Sequence, residues 1–322
     1  MFELFFLSIF INIVFFIFFE NFSSLFLLYD MPGEKRKIHK VKISNAAGFI
    51  FAINALFIIV YILFHEQTIN IYLFSLFFFI IGFLDDKNYL NPITKLLISA
   101  LIVYFSIKVN DDFILKNLTI EAINVDMSIG RYSLFFTTLC VLLLLNALNM
   151  FDGINLQSGL FLSTVFLIFI FLNIYKEFSF IMIISLIFFL YFNYKNKIFL
   201  GNSGVWFCSY FISHALISSF NKNVISTEFI LMILIFPGLD MFRVFLQRIF
   251  NKKHPFYADK IHIPHLLLKF LSQSSTAILI FLSYSIPILI YLFTENFIIS
   301  FVLLIFTYLF IYIYFGHLKK IK

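Results

Sequence analysis

Eleven apolar runs of 16 to 21 residues, separated by short polar connections, fill most of this sequence and constrain its fold before any motif is considered. A bilayer core about 30 Å thick takes about 20 helical residues to cross, and inside it every backbone N–H and C=O must be paired within the protein. The runs lie at 3–22, 45–64, 69–84, 92–108, 132–150, 156–173, 178–193, 200–220, 226–246, 275–293 and 297–316. They predict an all-α, polytopic integral membrane protein, a single transmembrane domain over 1–322 with about eleven transmembrane helices. Charged residues make up 12% of the chain, against about 25% in soluble domains. A soluble fold and a bitopic receptor with an outer domain are excluded, and no nucleic-acid partner is expected. The first run lacks a basic start and a small-residue cleavage site, so it reads as a retained helix. Cys140 and Cys208 sit inside apolar runs, which points to neither a disulfide nor a thiolate metal site.

Alternate connections carry very unequal charge. One set holds 18 of the 23 Lys and Arg residues; the other keeps Lys108, Lys116, Arg131, Lys176 and Lys222. By the positive-inside rule the rich side is cytoplasmic, the N-terminus is outside and the C-terminus inside. Asp30, Glu34, Asp85, Asp86, Asp152, Asp240 and Asp259 then fall on the inner side, mostly at helix ends. Glu66, Asp111, Asp112, Glu121, Asp126, Glu177, Glu228 and Glu295 fall in outer connections with no other distinctive chemistry. Ionisable groups at membrane depth are costly and mark function. A transporter or flippase would place them near mid-membrane, whereas here they gather at the inner ends. The one sizeable outer connection, Val109 to Arg131, reads as a short, partly structured hairpin.

Five inner-face segments, near 30–44, 85–91, 151–155, 194–200 and 247–274, carry the candidate chemistry. The first bunches Lys35, Arg36, Lys37 and His39 beside the membrane, which suits anionic headgroups or phosphates as well as simple topology. Ala47 and Gly48 beyond it permit close backbone approach. The second, GFLDDKNYLNPITK, puts Asp85 and Asp86 at a helix C-terminus, where the macrodipole opposes them and capping is a poor explanation. Adjacent helical residues point about 100° apart, so the two should have different partners. The third, NALNMFDGIN, spaces Asn146, Asn149 and Asp152 by three, along one helical face, and such oxygen ligands suit magnesium. The fourth, KNKIFLGNSG, opens a helix at Gly201 and Asn202 whose N–H groups are suited to phosphate. The fifth, PGLDMFRVFLQRIFNKKHPFYADKIHIPH, concentrates Asp240, Arg243, Arg248, Asp259, Lys260, His262 and His265, a set suited to a nucleotide diphosphate. Pro264 should push Ile263 out of helical geometry, which argues against a helical His pair on zinc.

In these five segments, from about Asp30 to His265, the chain resembles the polyprenyl-phosphate N-acetylhexosamine-1-phosphate transferase family, and within it the bacterial N-acetylglucosamine-1-phosphate starters. The resemblance implies transfer of a sugar-1-phosphate from a UDP-sugar donor to undecaprenyl phosphate at the cytoplasmic face of the bacterial inner membrane, with release of UMP. It implies Mg2+, with Mn2+ as the alternative, and a homodimer as a candidate assembly in the bilayer. Carried over by position, Asp85, Asp86 and Asp152 are catalytic, and Asn149, Asp152 and Asn202 form the metal region. Lys35, Arg36, Lys37, His39, Lys95, Asn146, Arg243, Asp259, Lys260, His262 and His265 contact substrates. The family commonly has Asp where this chain has Asn202 and Asn155, and His where it has Pro264. A catalytically silent member that binds lipid or a partner is the alternative expectation.

Overall fold

In the computed structural model, residues 2–33, 41–63, 69–253 and 261–321 are described. Helix α1 (Phe2–Phe26) leads through a two-stranded ribbon, β1 (Tyr29–Asp30) antiparallel to β2 (Ile43–Ser44), into α2 (Ala47–Leu63), α3 (Asn70–Lys87) and α4 (Pro92–Val109). An antiparallel hairpin, β3 (Asn117–Ile120) with β4 (Val125–Ser128), then precedes α5 (Ser133–Phe151), α6 (Gln157–Phe171), α7 (Lys176–Tyr194) and α8 (Gly201–Asn221). The chain closes with α9 (Thr227–Phe250), the short α10 (Ile263–Leu267), α11 (Gln273–Thr294) and α12 (Phe297–Ile321).

Each apolar run coincides with one long helix, and the protein is a mostly helical, multi-pass membrane protein. Among the described residues, seven helices are both long and apolar enough to cross a bilayer: α1, α4, α5, α7, α9, α11 and α12. Helices α2 and α6 are shorter, α3 carries its charged pair, and α8 is rich in Ser and Gly. The polarity of α8 follows from its position, because it is buried along nearly its whole length against protein. Two of its serines satisfy themselves within the helix, Ser209 Oγ donating to the Val205 carbonyl (2.6 Å) and Ser213 Oγ to that of Ser209 (2.7 Å). Small residues let the neighbours in. A Cβ on Gly48 would lie 2.4 Å from Gly204 N, and one on Gly82 2.4 Å from Asn202 O, so α2 and α3 meet α8 backbone to backbone.

Aromatic rings fill the space around this axis. Phe178 packs on Phe211 at 4.7 Å and Phe78 on Tyr210 at 4.6 Å between ring centres, within the range where aromatic pairs add about 0.5–1.5 kcal/mol. Outward-facing Phe6, Phe105 and Phe293 present the apolar surface that lipid would cover. The expected hairpin between Val109 and Arg131 is present. Glu228 departs from its expected exposed place: at the start of α9 it is buried and accepts the Ala122 N–H at 3.0 Å, fastening the hairpin to α9.

Candidate functional site

The last turn of α3 meets the first turn of α8. The α3 helix runs three residues beyond its apolar core, to Lys87, which places Asp85 and Asp86 in its final turn. Asp86 accepts the N–H groups of Asn202 (2.8 Å) and Ser203 (2.9 Å), one on each oxygen. Asp85 Oδ1 accepts the Leu90 N–H at 2.8 Å, while its Oδ2 accepts from Lys95 Nζ and Asn202 Nδ2, both at 2.9 Å. The two aspartates therefore do have different partners. Two expectations are corrected. Capping is what Asp86 does, but for α8, whose N-terminus favours negative charge. The N–H groups of Asn202 and Ser203 are correspondingly occupied by Asp86 and are not available to a phosphate.

The second wall comes from the loop between α5 and α6. Asn146 and Asn149 lie on the last two turns of α5, and Asp152 follows as its C-cap. Asp152 Oδ1 accepts a hydrogen bond from Ser158 Oγ. The loop is braced from behind by amides: Asn155 Nδ2 donates to the Asn193 carbonyl (2.8 Å) and to Asn196 Oδ1 (2.7 Å). Asn193 Oδ1 accepts the Leu156 N–H at 2.6 Å, and its Nδ2 donates to the Ile198 carbonyl at 2.8 Å. A carboxylate at 155 could donate neither of that residue's bonds, which gives this chain's Asn155 a structural reason. Asp86 and Asp152 lie beyond the ends of the apolar runs and keep a partial opening to the cavity. Burial nonetheless pushes Asp86 up to about 7, against the lowering effect of its two N–H bonds. Burial likewise raises Asp152 to about 6, partly offset by Ser158.

The third wall is α10 and the residue before it. Here Ile263 is helical after all: Pro264 occupies the first turn of α10, where its missing N–H has no intrahelical partner to lose, and the extended residue is His262. Arg243, expected on substrate, does not line the cavity. Its guanidinium donates to Tyr308 Oη (3.0 Å), Gln247 Oε1 (3.2 Å) and the Ile261 carbonyl (2.9 Å), pairs with Asp240 at 2.7 Å, and lies 4.7 Å from the centre of the Tyr312 ring.

These walls enclose a cavity of about 580 Å3. It collects Asp85, Asp86, Lys95, Asn146, Asn149, Asp152, Asn202, His262 and His265 from four separate segments of the sequence. Lys35, Arg36, Lys37, His39, Asp259 and Lys260 lie outside the described residues. Comparison with known proteins adds to the geometry. The family model described as glycosyl transferase family 4 matches residues 68–220, which contain the aspartate pair, Asp152 and Asn202. An undecaprenyl-phosphate alpha-N-acetylglucosaminyl 1-phosphate transferase of Thermotoga maritima is 29% identical over 230 residues, 70% of each chain. A probable undecaprenyl-phosphate N-acetylglucosaminyl 1-phosphate transferase of Bacillus subtilis is 29% identical over 215 residues, 63% of this chain and 59% of that relative.

The matched segment covers just under half of the chain, and both relatives are 29% identical to it. The chain is a transferase enzyme, and its cavity is lined by further residues that the motifs did not single out: Asn45, Tyr89, Ser99, Asn193, Trp206 and Gln273. Of these only Asn193 had a local signal, an amide closing an apolar run and facing inward on α7. Among the described residues no cluster of three or more His, Cys, Asp or Glu forms a metal cage. With Asp85 and Asp86 engaged by Lys95 and the start of α8, the expected metal donors on the cavity wall are the Asp152 carboxylate and the side-chain amides of Asn149 and Asn202. Hard oxygen donors with a single carboxylate fit magnesium, which keeps several waters and takes its remaining oxygens from substrate phosphates. Among the described residues Asp152 makes no ion pair, its Oδ1 accepting only from Ser158, and an unneutralised carboxylate on the cavity wall fits the same ion.

Proposed function

We propose that this chain is a glycosyl transferase family 4 enzyme that transfers a sugar-1-phosphate, most simply N-acetylhexosamine-1-phosphate, from a UDP-sugar to undecaprenyl phosphate, releasing UMP. The observation that carries the reading is the single cavity in which the acidic pair, Lys95, the Asn149–Asp152 loop and two histidines converge at helix ends. The two relatives, named as undecaprenyl-phosphate N-acetylglucosaminyl 1-phosphate transferases, support the substrate class. With eleven spans and the charge-rich connections inside, the cavity opens on the cytoplasmic face of the bacterial inner membrane.

A lipid phosphate oxygen attacks the sugar-bearing phosphorus of the donor. The new P–O bond forms as the pyrophosphate P–O bond breaks, and the electron pair leaves on the UMP phosphate. The acceptor has a second pKa of about 6 and is largely dianionic at neutral pH, so positioning and charge neutralisation matter more than proton abstraction. Asp85 holds Lys95 at 2.9 Å and thereby fixes an ammonium at the cavity wall, where it meets phosphate oxygens. Asp86 keeps the start of α8, and with it Asn202, in place through the two backbone bonds. Asn149, Asp152 and Asn202 would hold Mg2+, which when bound supplies positive charge to the pyrophosphate. His262 and His265 stand on the nucleotide side. The test is UMP release by the purified protein across a panel of UDP-sugars, with and without undecaprenyl phosphate. Release that depends on acceptor and on one N-acetylhexosamine donor is expected; a folded protein that releases no UMP with any donor refutes the reading.

A further inference from the structure

Three contacts converge on one residue of the cavity wall. The carbonyl before His262, that of Ile261, accepts from Arg243 Nη2 at 2.9 Å. The N–H after it, that of Ile263, donates to Asp240 Oδ1 at 3.2 Å. Between them the imidazole Nδ1 lies 2.8 Å from Asp240 Oδ2. Arg243 Nη2 also reaches Asp240 Oδ1 at 2.7 Å, so the two charged side chains of α9 lock each other as they hold the histidine. Tyr308 and Tyr312 of α12 fix the guanidinium from behind.

We infer that Asp240, locked by Arg243, is a positioning residue that holds His262 in one tautomer, with Nδ1 protonated and Nε2 presented to the cavity. The chemistry of the donors dictates the tautomer. An ionised carboxylate only accepts hydrogen bonds, so the ring nitrogen facing it carries the proton. At 3% exposure Asp240 has no water to take its place. The neutral ring then offers an acceptor at Nε2, and the protonated ring offers a single N–H there, directed by the same clamp. The two backbone bonds alone would fasten the start of α10; the ring bond adds orientation of the imidazole. Its catalytic meaning rests on the reading of the cavity as the UDP-sugar site, where His262 faces the nucleotide phosphates.

Asp240→Asn separates positioning from fastening. The amide oxygen still accepts the Ile263 N–H, while the amide nitrogen, now a donor, faces the ring and selects the opposite tautomer. In histidine-labelled protein in micelles, 15N chemical shifts should report Nδ1–H for His262 in wild type and Nε2–H in Asp240→Asn, the signal being assigned by its loss in His262→Gln. The same tautomer in both proteins would overturn the inference. In turnover of UDP-N-acetylglucosamine with undecaprenyl phosphate, Asp240→Asn should lower kcat by at least about 10-fold, the low end for loss of a group that orients a functional histidine. In a His262→Gln background the same change should cost less than about 2-fold, because the two act as one unit. Losses that multiply in the double variant would place the action of Asp240 elsewhere and overturn the inference. A wild type with no turnover would refute the proposed activity instead, and the tautomer measurement would still decide the clamp.

Discussion

Replacing Asn202 by aspartate tests how this cavity manages charge. In the wild type the Asn202 amide nitrogen lies 2.9 Å from Asp85 Oδ2 and donates to it. A carboxylate in the same place sets two like charges about 3 Å apart, worth about 5 kcal/mol of repulsion at an effective dielectric of about 20. Lys95, 2.9 Å from the same Asp85 oxygen, attracts both, and rotation of the new side chain relieves more. A net loss of about 1–2 kcal/mol is therefore expected without a divalent cation, well below the full Coulomb figure. A magnesium ion held by residues 149, 152 and 202 would return that amount on binding, which corresponds to about a 5-fold to 30-fold lower half-maximal Mg2+ concentration. The assay is thermal unfolding of detergent-solubilised wild type and Asn202→Asp across a Mg2+ titration from a chelator baseline, repeated with UMP release as the readout. The variant should start less stable and gain more from Mg2+. A stability loss that Mg2+ leaves untouched, or an unchanged Mg2+ requirement, would refute the reasoning.

Asp85→Asn and Asp86→Asn should fail differently. The first releases Lys95 and lowers turnover with little change in melting temperature, whereas the second breaks the α8 cap and costs about 1–3 kcal/mol in thermal unfolding, besides its effect on turnover. In chelator, stability should fall as pH rises from about 4 through 7, because burial raises the folded-state carboxyls of Asp86, to about 7, and Asp152, to about 6, above the ordinary value of 3.8. Asp152→Asn should flatten the lower part of that slope, and an identical slope in variant and wild type would show that Asp152 does not titrate this way. Cysteines placed at Asn88 and Lys253 should be labelled from the cytoplasm and one at Asn117 from outside, as impermeant-reagent labelling of oriented vesicles will show. Labelling of Asn88 and Lys253 from opposite faces would break the topology.

The order and approximate extent of the helices were legible because hydrocarbon demands long, self-bonded apolar segments, and little else in a sequence has that period. The motifs were legible for a related reason: ionisable and amide groups such as Asp85, Asp152 and His262 stand out against an apolar background. Their partners were not legible. That Asp86 caps α8 depends on two helix ends, 116 residues apart in sequence, brought together where Gly82 lets α3 approach α8. Arg243 looked like a substrate ligand because basic residues cluster around it, yet its neighbours Asp240, Tyr308 and the Ile261 carbonyl consume its donors. Asn196, which helps brace the Asp152 loop, is an ordinary amide in the sequence and acquires meaning only through the fold.

The central claim is that phosphate travels with the sugar, and one isotope experiment addresses it directly. UDP-N-acetylglucosamine labelled at the sugar-bearing phosphate is incubated with the purified protein, Mg2+ and undecaprenyl phosphate, and the lipid is extracted. The account predicts label in the lipid product together with the sugar, in equal amount to the unlabelled UMP left in the aqueous phase. Label retained in aqueous UDP while sugar alone enters the lipid would contradict it.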